Sequence, residues 1–167
     1  MSSRIPLPYS PEVLKYFRNP KNAGPLENPT VQSVAGSPAC GDVIKLYLKI
    51  NDSEVIEKAT FESYGCAANI AAASILTDLI TGKNLKEAWN IKWKDISDKL
   101  GGLPPIKYHC SILAVGALKR AVRTYYANVK GRAPDWLPSE LTIEEKQTME
   151  EEELIERVYG RFHKSVG

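Results

Sequence analysis

The stretch "DVIKLYLKI" (Asp42–Ile50) decides the fold. Ile44, Leu46, Leu48 and Ile50 alternate with Lys45, Tyr47 and Lys49, the period-two signature of a strand with one buried face. Asn51, Asp52 and Ser53 supply turn chemistry, and Val55–Tyr64 reads as the antiparallel partner of a hairpin. Upstream, Val31–Ala35 is a weaker strand that can pair on the other side.

Helical patterns flank this sheet. Ser10 as N-cap, Pro11 at the first helical position and apolar Val13, Leu14 and Phe17 predict a short helix that Asn19-Pro20 stops. After Tyr64, Gly65 ends the strand and Cys66 precedes an alanine-rich helix closed by Gly82, whose small side chains let it approach the sheet closely. Residues 84–100, with Trp89 and Trp93, read as one or two short helices broken by Gly101-Gly102. Pro104 and Pro105 forbid a helix before Ile106. Beyond them Ala114, Leu118, Val122, Tyr125 and Val129 form a helical stripe opposite Lys119, Arg120 and Arg123, ending at Gly131. The element order predicts an α+β fold: a small three-stranded antiparallel sheet with helices packed on one side.

At 167 residues, 43% hydrophobic and 25% charged, the chain has globular proportions and the length of about one domain. Its apolar runs fall short of the roughly 20 residues of a membrane-spanning helix. Prolines stand in "MSSRIPLPYS" where a signal peptide would have its apolar run, so the reading is a soluble, cytoplasmic protein. Residues 1–131 form the expected domain, 132–138 a linker, and 139–167 a helical extension begun by a Thr142/Glu145 capping box. That extension holds eight acidic and four basic residues against twelve and eighteen elsewhere, so it folds back on a basic body or meets another chain. The basic face of Lys119, Arg120 and Arg123 is read as solvated surface or a docking patch, and nucleic-acid binding ranks low.

Three cysteines are too few for a disulfide framework, and an odd one would be left over. Each falls at an element boundary: Cys40 in "SPACGD" before a strand, Cys66 between strand and helix, Cys110 at a helix start. Helix N-termini favour thiolates, which are the metal ligands and nucleophiles. Asp42 and His109 stand beside them as oxygen and nitrogen donors. Soft thiolates with one harder ligand suit zinc or iron–sulfur ligation, at a site assembled by folding. On spacing alone this reading and scattered structural cysteines carry equal weight. Asp42 has the alternative of an Asx-turn, and His109 could ligate, activate its neighbour or cap the helix.

The segments "SPACGDVIKLYLKI", "ATFESYGCAANIAAAS" and "LPPIKYHCSILAVGALKRAV", with the opening "YSPEVLKYFRNPKNAGPLENP", resemble the U-type iron–sulfur cluster scaffold family, that is IscU and the N-terminal domain of NifU. Similarity runs from about Tyr9 to Lys130. The resemblance implies a SufE/NifU-like fold, cluster ligation by Cys40, Cys66 and Cys110 with Asp42 and His109, and a chaperone-recognition segment at Leu103, Pro104, Pro105, Ile106 and Lys107. It further implies a non-enzymatic platform that takes sulfur from a cysteine desulfurase and iron from an iron donor or frataxin-like protein. A 2Fe-2S cluster would form and pass to apo-protein acceptors. An Hsp70-type chaperone and a homodimer are compatible partners, and Zn2+ is a candidate occupant of the apo form. Cys110 is the expected persulfide acceptor from its helix-terminal place. Ile106 stands where the family's chaperone motif has valine. The rival readings are a zinc-binding, SufU-like sulfur relay, disfavoured by His109 and the lack of an insertion, and a Cys–His enzyme, for which no orienting group is evident.

Overall fold

The computed structural model describes residues 9–37, 42–103 and 108–166, with side chains in the last span given up to Leu154 and at Arg157. Cys40, Pro104, Pro105, Ile106 and Lys107 lie outside the described residues. Three strands, β1 (Val31–Ser37), β2 (Asp42–Ile50) and β3 (Ile56–Tyr64), pair antiparallel in the order β1-β2-β3. Six α-helices accompany them: α1 (Pro11–Arg18), α2 (Ala67–Ile80), α3 (Leu85–Trp89), α4 (Trp93–Lys99), α5 (Tyr108–Tyr125) and α6 (Ile143–Val166). The fold is α+β. No helix of the described residues is long and apolar enough to cross a membrane.

The alternation in β2 sets which face the helices cover. Ile44, Leu46 and Leu48 are fully buried. Their cross-strand neighbours share that face. Ser33, opposite Leu46, donates to the Ala117 carbonyl of α5 at 2.7 Å, and Ser63, opposite Ile44, accepts from Asn69 of α2 at 2.7 Å. Both long helices therefore lie on one side of the sheet. The expectation of a single buried face is incomplete, because Tyr47 on the other face is only 7% exposed and its hydroxyl donates to Glu62. That bond comes first, ahead of burial, in pushing the Tyr47 phenol up to about 12.

The cap at Ser10 forms as expected, its hydroxyl accepting the Val13 N–H at 3.2 Å. One expectation fails in α5. The stripe drawn through Val129 assumes a continuous α-helix, but Tyr126–Lys130 is a π-helical turn. Wider winding changes which face each later residue meets, and Val129 ends 52% exposed. Gly131 closes the turn at φ 76°, the left-handed conformation glycine adopts without a Cβ penalty.

Helix α6 packs against α5 and β1. The Thr142 Oγ and Glu145 carboxylate form a capping box at its start. Glu145 then pairs with Arg123, and Glu144 with Lys119 at 3.5 Å. Burial pushes the Glu145 carboxyl up, but Arg123 and the Thr142 N–H outweigh it and hold the group below its ordinary value. Lys119, read from sequence as part of a solvated face or docking patch, is 5% exposed, between Glu144 of the acidic extension and the Trp89 ring at 4.9 Å. The stretch read as a linker carries Trp136, whose ring packs 6.3 Å from Trp89 and 5.6 Å from Tyr126.

Gly116 is a point of close approach between α5 and α6. A Cβ added there would stand 2.2 Å from Thr148 Oγ1 and 3.1 Å from Thr148 Cβ. Thr148 is β-branched and 1% exposed, so relieving the clash takes a change of its χ1 rotamer or a shift of α6. We expect Gly116→Ala to destabilise the protein by about 1–3 kcal/mol through overpacking, despite alanine's better helix propensity. Thr148→Ala in the same chain should recover part of that loss. Thermal denaturation of the two single variants and the double variant measures the coupling, and additive effects would contradict this contact.

Candidate metal centre

Strand parity places the first ligand candidate. Asp42 has the same parity as Ile44 and Leu46, so its side chain leaves β2 on the helix-covered face. There it meets the starts of two helices. Its Oδ1 accepts the backbone N–H of Cys66 at 3.2 Å, and its Oδ2 lies 2.9 Å from His109 Nε2. Cys66 is the N-cap of α2, in extended conformation and with no side-chain cap bond, so its thiol is not spent on its own helix. His109 and Cys110 belong to the first turn of α5.

These elements bring the side chains together. Cys66 Sγ lies 3.6 Å from Cys110 Sγ, and Cys110 Sγ lies 3.5 Å from His109 Nε2. One ligand atom each of Asp42, His109 and Cys110 falls within a set whose members are all within 4.8 Å of one another. Four residues separated by up to 68 positions in the chain thus share one pocket, because one strand end and two helix starts converge.

The separations carry chemical information. Around a tetrahedral zinc-sized ion, with thiolate bonds of about 2.3 Å and imidazole bonds of about 2.0–2.1 Å, two sulfurs stand about 3.7 Å apart and a sulfur and nitrogen about 3.5 Å. The observed 3.6 and 3.5 Å match those edges. The 2.9 Å between His109 and Asp42 is shorter than the corresponding edge of about 3.3 Å, as expected for a pair held by its own hydrogen bond. Two thiols, one imidazole and one carboxylate are a donor set for a borderline divalent ion.

Exposure grades the site. Cys110 is 0% exposed, whereas Cys66, Asp42 and His109 are partly exposed. The mouth therefore lies on the Asp42–His109–Cys66 side. The Trp93 ring stacks on Tyr108 at 5.1 Å beside the start of α5. Leu103, the one described member of the expected chaperone segment, is buried at 5% exposure.

A fifth titratable group, and the second acidic one, escaped the sequence reading. Burial pushes the Glu151 carboxyl of α6 up, the His109 imidazole opposes that, and the charges of Asp42 and Glu152 add to it. The extension thus reaches the electrostatic field of the site. The only available signal was the acidic content of 139–167, which says nothing of where a helix docks.

Comparison with known proteins follows this geometry. The family profile described as NifU-like N terminal domain matches residues 8–132. The iron–sulfur cluster assembly scaffold protein IscU of Escherichia coli is 46% identical over 120 residues, covering 70% of this chain and 93% of that protein. The protein of the same name from Aquifex aeolicus is 37% identical over 153 residues, 91% of this chain and 97% of that protein. A match of that length runs past residue 132 into α6 wherever it begins. Among solved structures, a putative iron–sulfur cluster assembly scaffold protein for the SUF system from Fervidobacterium islandicum has a TM-score of 0.58 at 23% identity. It covers 68% of this chain and 96% of that one, a likeness of fold.

If the four side chains form one site, the reduced protein should bind one equivalent of Co2+ with an intense thiolate-to-metal absorption. Cys66→Ala, Cys110→Ala and His109→Ala should each weaken binding by at least about tenfold. A cobalt spectrum without thiolate bands would refute this arrangement.

Proposed function

The chain belongs to the NifU-like N-terminal domain family, and from that membership we propose that it is an iron–sulfur cluster assembly scaffold. In this reading it accepts sulfur from a cysteine desulfurase and iron from an iron donor or frataxin-like protein, builds a transient 2Fe-2S cluster, and hands it to apo-protein acceptors. It has no turnover reaction of its own, and it works in the cytoplasm. The observation that carries the proposal is the cluster in which Asp42, His109 and Cys110 present an oxygen, a nitrogen and a sulfur within 4.8 Å of one another, with the Cys66 sulfur 3.6 Å from that of Cys110.

The chemistry of that donor set suits a cargo more than a fixture. A structural site is closed, its positions filled by thiolates and imidazoles. Here a carboxylate and an imidazole take part, and they hold iron less firmly than thiolate would, so an acceptor's thiol can replace them. Cys40, two residues before Asp42 in sequence, would supply the third thiolate that a cluster needs. Leu103–Lys107 would serve an Hsp70-type chaperone.

Sulfur delivery falls in this reading to Cys110. The arriving persulfide gives up its outer sulfur to the Cys110 thiolate, and the desulfurase cysteine leaves as a thiolate, so electrons and atoms balance. Because Cys110 is fully buried, that transfer requires the mouth at Cys66 and His109 to open. Persulfide trapping followed by peptide mapping should find the extra sulfur mainly on Cys110, and a label confined to Cys40 or Cys66 would overturn the assignment.

A second reading has its own support. Two separations, Cys66 to Cys110 at 3.6 Å and Cys110 to His109 at 3.5 Å, equal edges of a tetrahedral zinc site, which favours Zn2+ in the apo state or a zinc-binding, SufU-like sulfur relay. Anaerobic reconstitution with iron and a cysteine desulfurase, read by absorption and Mössbauer spectra, decides between them. The scaffold reading expects a coloured 2Fe-2S product. Asp42→Ala should then lengthen the cluster's lifetime and slow its transfer. A colourless protein holding only zinc would demote the scaffold reading, and a cluster lost from Asp42→Ala at the original rate would remove Asp42 from the release step.

A further inference from the structure

The strand order β1-β2-β3 leaves β1 with one edge unpaired by any strand. Such an edge exposes alternate N–H and C=O groups that need partners. At its Cys40-proximal end the partners are side chains. Arg120 Nη1 donates to the Val34 carbonyl at 2.5 Å, and Glu152 Oε1 accepts the Gly36 N–H at 2.8 Å. The two side chains are themselves joined in a bidentate pair, Nη1 to Oε1 at 2.8 Å and Nη2 to Oε2 at 2.9 Å. Together they do for two residues of β1 what a fourth strand would do.

The place of this clamp matters. Gly36 has φ 96°, and a Cβ on it would fall 2.1 Å from the Asp42 carbonyl oxygen, so the hairpin closes tightly against Asp42 at that residue. The next residue, Ser37, is paired with Asp42 itself. Arg120 stands on α5, the helix whose first turn holds His109 and Cys110. A closed mechanical ring results: Asp42 to His109, along α5 to Arg120, through Glu152 to Gly36, and across the hairpin back to Asp42.

We propose that Glu152, seated by Arg120, is a positioning residue of the metal site: from the C-terminal helix it fixes the hairpin end so that the Asp42 carboxylate stays within reach of Cys66, His109 and Cys110. This rests on the reading of those four residues as a metal site. The C-terminal helix, beyond the part of the chain that the family profile matches, is by this account part of the site's framework. Glu152 bonds to the Gly36 N–H and to Arg120, so it acts through the backbone. Breaking the ring at Glu152 lets the hairpin end move away from α5, and the Asp42 arm of the site loosens while the Cys66–Cys110–His109 arm stays.

The test uses the full chain with Glu152→Ala and Glu152→Gln, titrated with Co2+. Glu152→Ala should weaken cobalt binding about tenfold, in the range found when partners of ligands are removed. It should also speed hydrogen exchange at the Gly36 amide and alter the d–d bands that report the oxygen ligand, with the thiolate bands unchanged. Glu152→Gln keeps an oxygen for the Gly36 N–H and should recover most of the affinity. Unchanged affinity and spectrum in Glu152→Ala would overturn the inference, as would a lowered melting temperature with unchanged affinity, which assigns Glu152 to stability alone. If the unmodified protein gives no cobalt–thiolate band, the metal reading fails separately. The clamp is then judged by Gly36 exchange and the His109 imidazole resonances in Glu152→Ala, and no change in either overturns it.

Discussion

The Asp42 carboxylate holds the molecule's three working segments in one place. One oxygen takes the N–H of Cys66, the N-cap of α2, and the other faces the imidazole at the start of α5, so a single side chain at a strand end joins both helix starts. The N–H it takes is among those that a helix start leaves without an intrahelical partner. The negative charge also lies at the positive ends of both helices, where it is favoured. Cys66 and Cys110 belong to two helices that also pack on each other, and their sulfurs lie 3.6 Å apart beside this carboxylate.

A different constraint governs the extension. Lys119 and Glu144 are both nearly fully buried, and a buried ion pair contributes little net stability because of its desolvation cost. Breaking one is another matter, since it leaves an uncompensated charge inside at a cost of about 3–5 kcal/mol. Lys119 has the Trp89 face and Glu144 beside it, and Glu144 comes from α6. The body therefore depends on its extension: without α6, a buried ammonium on α5 would lose its counter-charge. Arg123 repeats the pattern, stacked 5.0 Å from Trp89 and paired with Glu145.

Much of this was legible in the chain, and the rest was not for a specific reason. The alternation of Ile44, Leu46, Leu48 and Ile50 announced a strand and its inner face, and the same parity, extended to Asp42, says where that carboxylate points. The Ser10–Pro11 cap and the stop at Gly82 could be read because their chemistry is local. Lys119 could not, because helical periodicity reports which residues share a face and not what another element later lays against it. Val129 was misplaced because a π-turn changes the winding without a mark in the hydrophobic pattern. The grouping of Cys66, His109 and Cys110 with Asp42 came from a resemblance, whereas their distances from one another needed the fold. Glu152 gave no signal at all, since its partners are a backbone N–H and an arginine brought near only by docking.

The way the ligands are distributed bears on how a cargo could leave. Cys110 and His109 share one helical turn, so no rigid-body motion of α5 separates them, and Cys66 is bonded through its N–H to Asp42. At the rim of β2, Asp42 is held by strand pairing with Ser37 and, in the proposed account, by the clamp along the β1 edge. A small outward movement there would withdraw the carboxylate first and leave the two sulfurs in place. Carboxylate is also the donor that a soft metal gives up most readily among the four. In a scaffold that must both hold and hand on its cluster, release would then begin at Asp42, the ligand set by a strand end, and end at the thiolates on the helix starts.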